Sequence, residues 1–192
     1  MNWPINLSHV IAIIFGVSGW IFHFVTFKIN KKYKSVEYLD KEIKDIATLK
    51  NELKETFDKL TEKVKVEDYS SNEVKFLYQK ALKLYYPFFN ALDQMCGKVQ
   101  YGVINLDYFE KQVGENINTY ADAQILYVRI LKKLSEKLNI PFGLGRNEDT
   151  FKNFYQVVGS RNTEEECSKL NQRRCQVGLP SYNKLTQQIE WN

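Results

Sequence analysis

The chain has 192 residues, of which 44% are hydrophobic and 26% are charged, and this balance is normal for a globular protein. Its formal net charge is +4, all of it after the first charged side chain at Lys28, and an excess of this size suits an anionic membrane surface and RNA equally well. The 12 tyrosines and 12 phenylalanines, against 4 prolines, favour a packed helical body and exclude a largely disordered chain.

The first predicted element is a membrane-spanning helix. Residues 10–27 form an uncharged, mostly apolar run, and its 18 residues reach the length needed to cross a bilayer. The N-terminus carries no basic side chain, and no small-residue cleavage site follows the run. We therefore predict a signal anchor over residues 1–28 and not a cleaved signal peptide.

The charges beside this run predict its orientation. Lysines occur only on its C-terminal side, at Lys28, Lys31, Lys32 and Lys34. Positive side chains close to a span stay in the cytoplasm and interact with the membrane surface. The sequence thus predicts a single-pass protein of the cell inner membrane, with its N-terminus outside and its C-terminal domain in the cytoplasm.

A stripe of small and polar residues follows the predicted membrane helix at a period of seven. Small residues let membrane helices approach closely, polar side chains bond between them, and an ionisable side chain in lipid marks a candidate functional site. The stripe predicts a helix–helix interface or the lining of a pore; alternatively, its histidines only reach the headgroups. Its members are His9, Ala12, Gly16, Gly19, His23 and Thr26.

Residues 29–68 form a second predicted helix with apolar residues in heptads. We expect either a coiled coil that extends a homo-oligomer or a long amphipathic helix that packs on its own domain. No Pro or Gly occurs between Lys28 and Tyr86, so the membrane helix can continue into it. One heptad position holds Val36, Ile43, Lys50, Phe57 and Val64, and the other holds Leu39, Ile46, Leu53 and Leu60.

Residues 69–192 are predicted to be a cytoplasmic all-α bundle of about five helices. Helical spacing predicts a central helix from Val74 to Val99, which Pro87 kinks or divides. Shorter helices are predicted up to Cys175, one of them capped by Asn105 or Asp107. Residues 181–192 are predicted to be a weak helix or a docked strand. The fold class is therefore all-α, with a transmembrane helix, a juxtamembrane helix and a helical bundle.

The side chains of the body predict little chemistry. Cys96, Cys167 and Cys175 form no CxxC pair, which argues against a disulfide framework and a zinc site, so we expect free thiols. The body has no histidine to act as a general acid or base, and we expect no enzyme, no cofactor and no metal. Arg173 and Arg174 fit either RNA phosphates or a solvated helix end.

Arg161 and Asn162, in the stretch GSRNTEEEC, resemble the start of the motif of HEPN ribonuclease folds. In those small α-bundles an Arg, a polar residue and a later His form a composite site at a dimer interface. Cys167 stands near the place of the histidine. The resemblance implies a divergent relative that does not cleave RNA.

The order and size of the segments resemble small membrane accessory proteins encoded beside RNA-targeting type VI-B CRISPR effectors. The stretch FFNALDQMCGKVQYGVINLDYFEKQV is also similar to uncharacterised bacterial single-pass helical families. The first resemblance implies an antiviral role at the inner membrane, with an RNA-guided CRISPR effector as a partner; it leaves direct RNA contact open.

Three functions are therefore expected as alternatives. The first is a homo-oligomer that perturbs or permeabilises the inner membrane in antiviral defence, for which the His/Gly stripe is the main feature. The second is a membrane-anchored adaptor or scaffold without a pore. The third is a degenerate HEPN-type ribonuclease.

Overall fold

The computed structural model describes residues 7–66, 69, 71–143 and 150–191. The side chains of residues 7–22, 31 and 115 lie outside this description. The described residues are mostly helical, which confirms the all-α prediction. In chain order they form α1 (Leu7–Lys65), α2 (Asn72–Gln100), α3 (Leu106–Phe109), a π-helical turn (Glu110–Gly114), α4 (Glu115–Leu138), α5 (Lys152–Arg161), α6 (Glu164–Val177), β1 (Ser181–Asn183) and β2 (Gln188–Glu190).

The N-terminal helix α1 joins two predicted elements into one. It runs without a break over 59 residues, as the lack of Pro and Gly after Lys28 predicts. In the part of the chain that the structure describes, no helix has a stretch both long and apolar enough to cross a membrane.

The heptad stripe of α1 packs inside its own chain. Its apolar side chains contact α2 along much of their length, and α4 adds further contacts. Of the two interpretations of the heptads, the structure shows the domain-packing helix, and a homo-oligomer extended by these positions stays a prediction. The fully buried members are Leu39, Ile46, Leu53, Phe57 and Leu60.

The central helix α2 is covered on several sides. Ser71 caps its first turn, because its hydroxyl accepts the amide N–H of Val74 at 3.3 Å. The helix continues through Pro87 to Gln100, so the predicted division at Pro87 is wrong. Buried aromatic rings on this helix meet those of α5, including Tyr85 and Phe89.

Local capping explains where the later helices begin. The side chain of Asn105 accepts the amide N–H of Tyr108 at 3.1 Å and caps α3. Thr163 and Glu166 form the capping box of α6, each side chain accepting the other's backbone N–H. Both caps agree with the sequence.

The C-terminal segment is a small antiparallel hairpin, so the strand alternative for residues 181–192 holds for β1 and β2. Tyr182 of β1 is buried against α5, where its ring covers Gly159. A side chain at position 159 would overlap that ring. The glycine thus permits the hairpin to dock.

Candidate functional site

One surface of the molecule combines exposed apolar side chains with lysines, where residues 24–38 of α1 meet a turn at residues 101–106. We call it the basic end and define it as residues 24–38 of α1 with the turn at residues 101–106. Large apolar side chains are exposed there over 42% to 83% of their surface, although apolar residues of this size are usually buried. They are Phe24, Val25, Phe27, Ile29, Tyr33, Tyr38, Tyr101, Val103 and Leu106.

The turn at residues 101–106 is held beside α1 by polar contacts. The buried hydroxyl of Ser35 accepts the amide N–H of Asn105 at 2.6 Å. The Tyr108 hydroxyl donates to the carboxylate of Asp40 at 3.2 Å, and Lys98 pairs with Glu42. These contacts place the turn next to the lysine-rich part of α1.

Two shallow grooves lie where the turn meets α1. One has a volume of about 540 Å³ and is bounded by Phe27, Lys34 and Val103. The other has a volume of about 380 Å³ and is bounded by Lys28 and Leu106, among others. Both grooves therefore combine lysine side chains with apolar walls.

The charge of the basic end is positive. Lys28, Lys32 and Lys34 are exposed, and the ammonium of Lys28 lies 4.7 Å from the ring centroid of Phe24. The first acidic residue of the chain is Glu37. The side chain of Lys31 lies outside the described residues. An anionic surface is thus the electrostatic complement of this end.

Only part of the predicted membrane stripe belongs to the described side chains. His23 is exposed and Thr26 is half-buried, three residues apart on α1. The side chains of His9, Ala12, Gly16 and Gly19 lie outside the described residues. The interface and the pore lining stay predictions.

Arg161 of the motif remnant is engaged within the chain. Its guanidinium pairs with the carboxylate of Glu110 on the π-helical turn. Gly114 closes the same turn, and a Cβ there would collide with Glu110 and lie 2.9 Å from Arg161 Nη1. The π turn and the glycine therefore fit this ion pair into the fold.

The other two motif residues are engaged elsewhere. Asn162 is buried and exchanges hydrogen bonds with Asn118 at 2.9 and 3.3 Å. The buried Cys167 thiol donates to the carbonyl of Gly159 at 3.4 Å, and burial raises its pKa. Asn162 lines one groove, and Arg161 and Cys167 line two others that share Tyr182 and Lys184.

The two arginines of α6 have different environments. Arg173 is partly exposed and pairs with Asp122 of α4. Arg174 is buried, its guanidinium lies 4.4 Å from the ring centroid of Tyr155, and burial lowers its pKa. The expectation of a solvated helix end is wrong for Arg174, because this side chain is buried and the ring of Tyr155 from α5 lies against its guanidinium.

The cysteines are free thiols, and Cys96 is buried with its pKa raised by burial, which keeps the unreactive thiol form. Within the described ranges, no group of His, Cys, Asp and Glu side chains is arranged to hold a metal ion.

The sequence patterns did not identify the turn at residues 101–106 as part of a surface site. The apolar pattern ends near Val99 and the next helix is predicted to begin at Asn105 or Asp107, so the sequence assigns no surface role to the residues between. In the structure Gly102 follows α2 with a positive φ. The apolar content of this stretch beside a glycine was the available signal.

Searches with family models, with curated proteins and with solved structures find no match to this chain.

Proposed function

We propose that the protein is a single-pass inner-membrane homo-oligomer that permeabilises the membrane in antiviral defence. Its N-terminus lies outside and its helical body lies in the cytoplasm. The trigger is a cytoplasmic partner that engages the body, and an RNA-guided CRISPR effector is the partner that the resemblance implies. The body itself performs no reaction.

The observation that carries this proposal is the continuity of α1. Its 59 residues span about 88 Å at the usual helical rise of about 1.5 Å per residue. The second half of the helix is fixed in the core through Leu39, Leu53 and Leu60. Because no break separates the two halves, a movement of the body is passed to the predicted membrane segment.

The membrane stripe supplies the proposed contacts between copies. Gly16 and Gly19 permit close approach, and His9 and His23 bond between helices or face water. The apolar heptad residues Leu39, Ile46, Leu53, Phe57 and Leu60 are buried in the body, so they are not proposed as contacts between copies. Assembly is therefore assigned to the membrane segment alone.

A membrane-anchored adaptor is the second candidate, and the internal heptad stripe favours it. That stripe was one of two surfaces expected to bind further copies. Because that stripe packs inside the chain, an adaptor that is anchored and binds a partner needs fewer contacts between copies than a pore does. The ribonuclease alternative lacks such support, because Arg161 pairs with Glu110 and Asn162 bonds to Asn118 within the chain.

Membrane potential tests the proposal. Cells that carry the protein with its genomic neighbours are challenged with phage and read with a voltage-sensitive dye. We expect depolarisation with the native chain, and its loss in His23→Leu with oligomerisation intact. Val25→Leu, on the opposite side of α1, is the matched control and keeps the response. Protection without depolarisation in native cells would replace the pore with the adaptor.

Orientation is measured separately. A cysteine introduced at Asn2 is expected to react with an impermeant reagent in intact cells, while Cys175 is not. The reverse pattern contradicts the proposed topology.

A further inference from the structure

We propose that the turn at residues 101–106 is a second membrane-contacting element, which places its apolar side chains among anionic lipid headgroups beside the lysines of α1. This inference rests on the proposed membrane anchor. The inference adds a specific contact to that anchor. The body touches the bilayer through the turn at residues 101–106 as well as through α1.

The first reason for this inference is that the turn lies beside the residues of α1 that end the predicted membrane span. The Ser35–Asn105 hydrogen bond fixes the turn beside α1, and the grooves between them are bounded by Phe27 and Lys28. Phe27 is the last residue of the predicted span. When the lysines after it lie at the headgroups, the turn lies there as well.

The side chains of the turn are the second reason. Tyr101 is 83% exposed, Leu106 is 56% exposed and Val103 is 42% exposed. Tyr33 of α1 is 72% exposed on the same end. Tyrosine with an apolar ring and a polar hydroxyl is enriched at the membrane–water boundary, where both parts are satisfied.

Charge together with the proposed anchor favours an anionic bilayer as the occupant. Lys28, Lys32 and Lys34 are exposed around the grooves. Of the acids on α1 near the grooves, Glu37 is exposed within the basic end, Asp40 binds Tyr108 and Glu42 pairs with Lys98, so the three described lysines outnumber the one acid of the basic end. Lysines close to an anionic leaflet are attracted to it, and the anchor brings that leaflet within reach.

The opposite end of the α1–α2 hairpin lacks this combination. Phe76 is exposed there, but its surroundings carry both signs of charge, including the pair Lys63–Glu73. Phe76 and Tyr101 are about 38 Å apart along α2 at about 1.5 Å per residue. The two positions therefore give a matched comparison between aromatic residues.

Site-specific photo-crosslinking of the full chain tests the inference. The residue p-benzoylphenylalanine replaces Tyr101 in one variant and Phe76 in the other, and each is illuminated in vesicles that contain phosphatidylglycerol. We expect phospholipid adducts from position 101 and none above background from position 76. An adduct from 101 to a second copy or to another protein, or equal lipid adducts from both positions, overturns the inference.

Alkaline extraction distinguishes a failure of the proposed membrane anchor from a failure of the proposed contact at the turn. Release of the native chain from membranes by this treatment overturns the proposed anchor and this inference together. A chain that stays in the membrane, but yields no lipid adduct from position 101, overturns the inference alone.

The charge requirement has its own control. In chains whose orientation is unchanged by the Asn2 cysteine label, replacing Lys28, Lys32 and Lys34 with Gln should lower the ratio of membrane-docked to undocked turns by about fivefold per lysine, and the adduct yield with it. The distal exposed lysines of α2 give a variant with the same net charge when changed to Gln, and it should keep the yield. Equal losses in both variants contradict a local contact with anionic lipid. The distal set is Lys75, Lys80 and Lys83.

Discussion

The part of α1 from His23 to Lys34 and the part from Ser35 to Lys65 belong to one helix but differ in their surroundings. Phe27 in the first part is 67% exposed, whereas Phe57 in the second part is 2% exposed. Burying such a side chain is worth about 1.5–3 kcal/mol. The second part obtains this stabilisation from the body, and the first part obtains little of it from the described residues.

The apolar residues in the two parts of this helix therefore have different explanations. In the second part they are explained by packing against α2 and α4. In the first part they occur beside lysines and face outward, together with Tyr101 of the turn. An apolar surface with a positive border is complemented by an anionic membrane, which is why the proposals place lipid there.

The largest expected effect comes from making the same substitution in both parts. Phe57→Ala should lower the free energy of unfolding by about 3–5 kcal/mol, because it removes a buried ring that stacks on Tyr127. Phe27→Ala should change it by less than about 0.5 kcal/mol. Urea unfolding of the full chain in mild detergent, followed by near-UV circular dichroism, measures both.

An equal loss of unfolding free energy in the two variants would contradict this difference between the two parts, because Phe27 would then be part of the folded core. A small loss in Phe57→Ala alone would mean that the stripe of α1 is not packed as the structure has it.

The boundary between the two parts gives the second effect. Ser35→Ala removes the acceptor of the Asn105 amide N–H from a part-buried hydrogen bond, at a cost of about 0.5–1.5 kcal/mol. Amide hydrogen exchange over residues 101–106 should accelerate as well. Thr48→Ala, on the exposed surface of the same helix, is the control and should change stability by less than about 0.5 kcal/mol. Unchanged exchange in Ser35→Ala would show that other contacts hold the turn.

Local patterns predicted most of the helices of this fold. The capping box of Thr163 and Glu166 and the cap at Asn105 were readable because each depends on residues within one turn. The helical class followed from the spacing of apolar residues. Such signals need no knowledge of the rest of the chain.

Features that depend on distant residues were not predicted. The heptads fitted a partner chain and an internal partner equally well, and only the position of α2 decides between them. Arg174 is buried because α5 brings Tyr155 over it. The turn at residues 101–106 joins the lysines through Ser35, about 70 residues earlier in the chain. Tertiary packing determines all three.

The smallest expected effect concerns Lys50, the polar member of the heptad stripe. In the structure its ammonium lies 5.3 Å from the ring centroid of Tyr120 in the same chain, and the residue is exposed. Lys50→Leu should lower stability by less than about 1 kcal/mol, because it removes one exposed cation–π contact. The mass in mild detergent should stay that of the native chain, since Lys50 contacts Tyr120 of its own chain. In a coiled coil between chains, the same change would strengthen the seam or alter the number of chains. Light scattering that finds a larger assembly in Lys50→Leu would therefore return the heptads to an interface between copies.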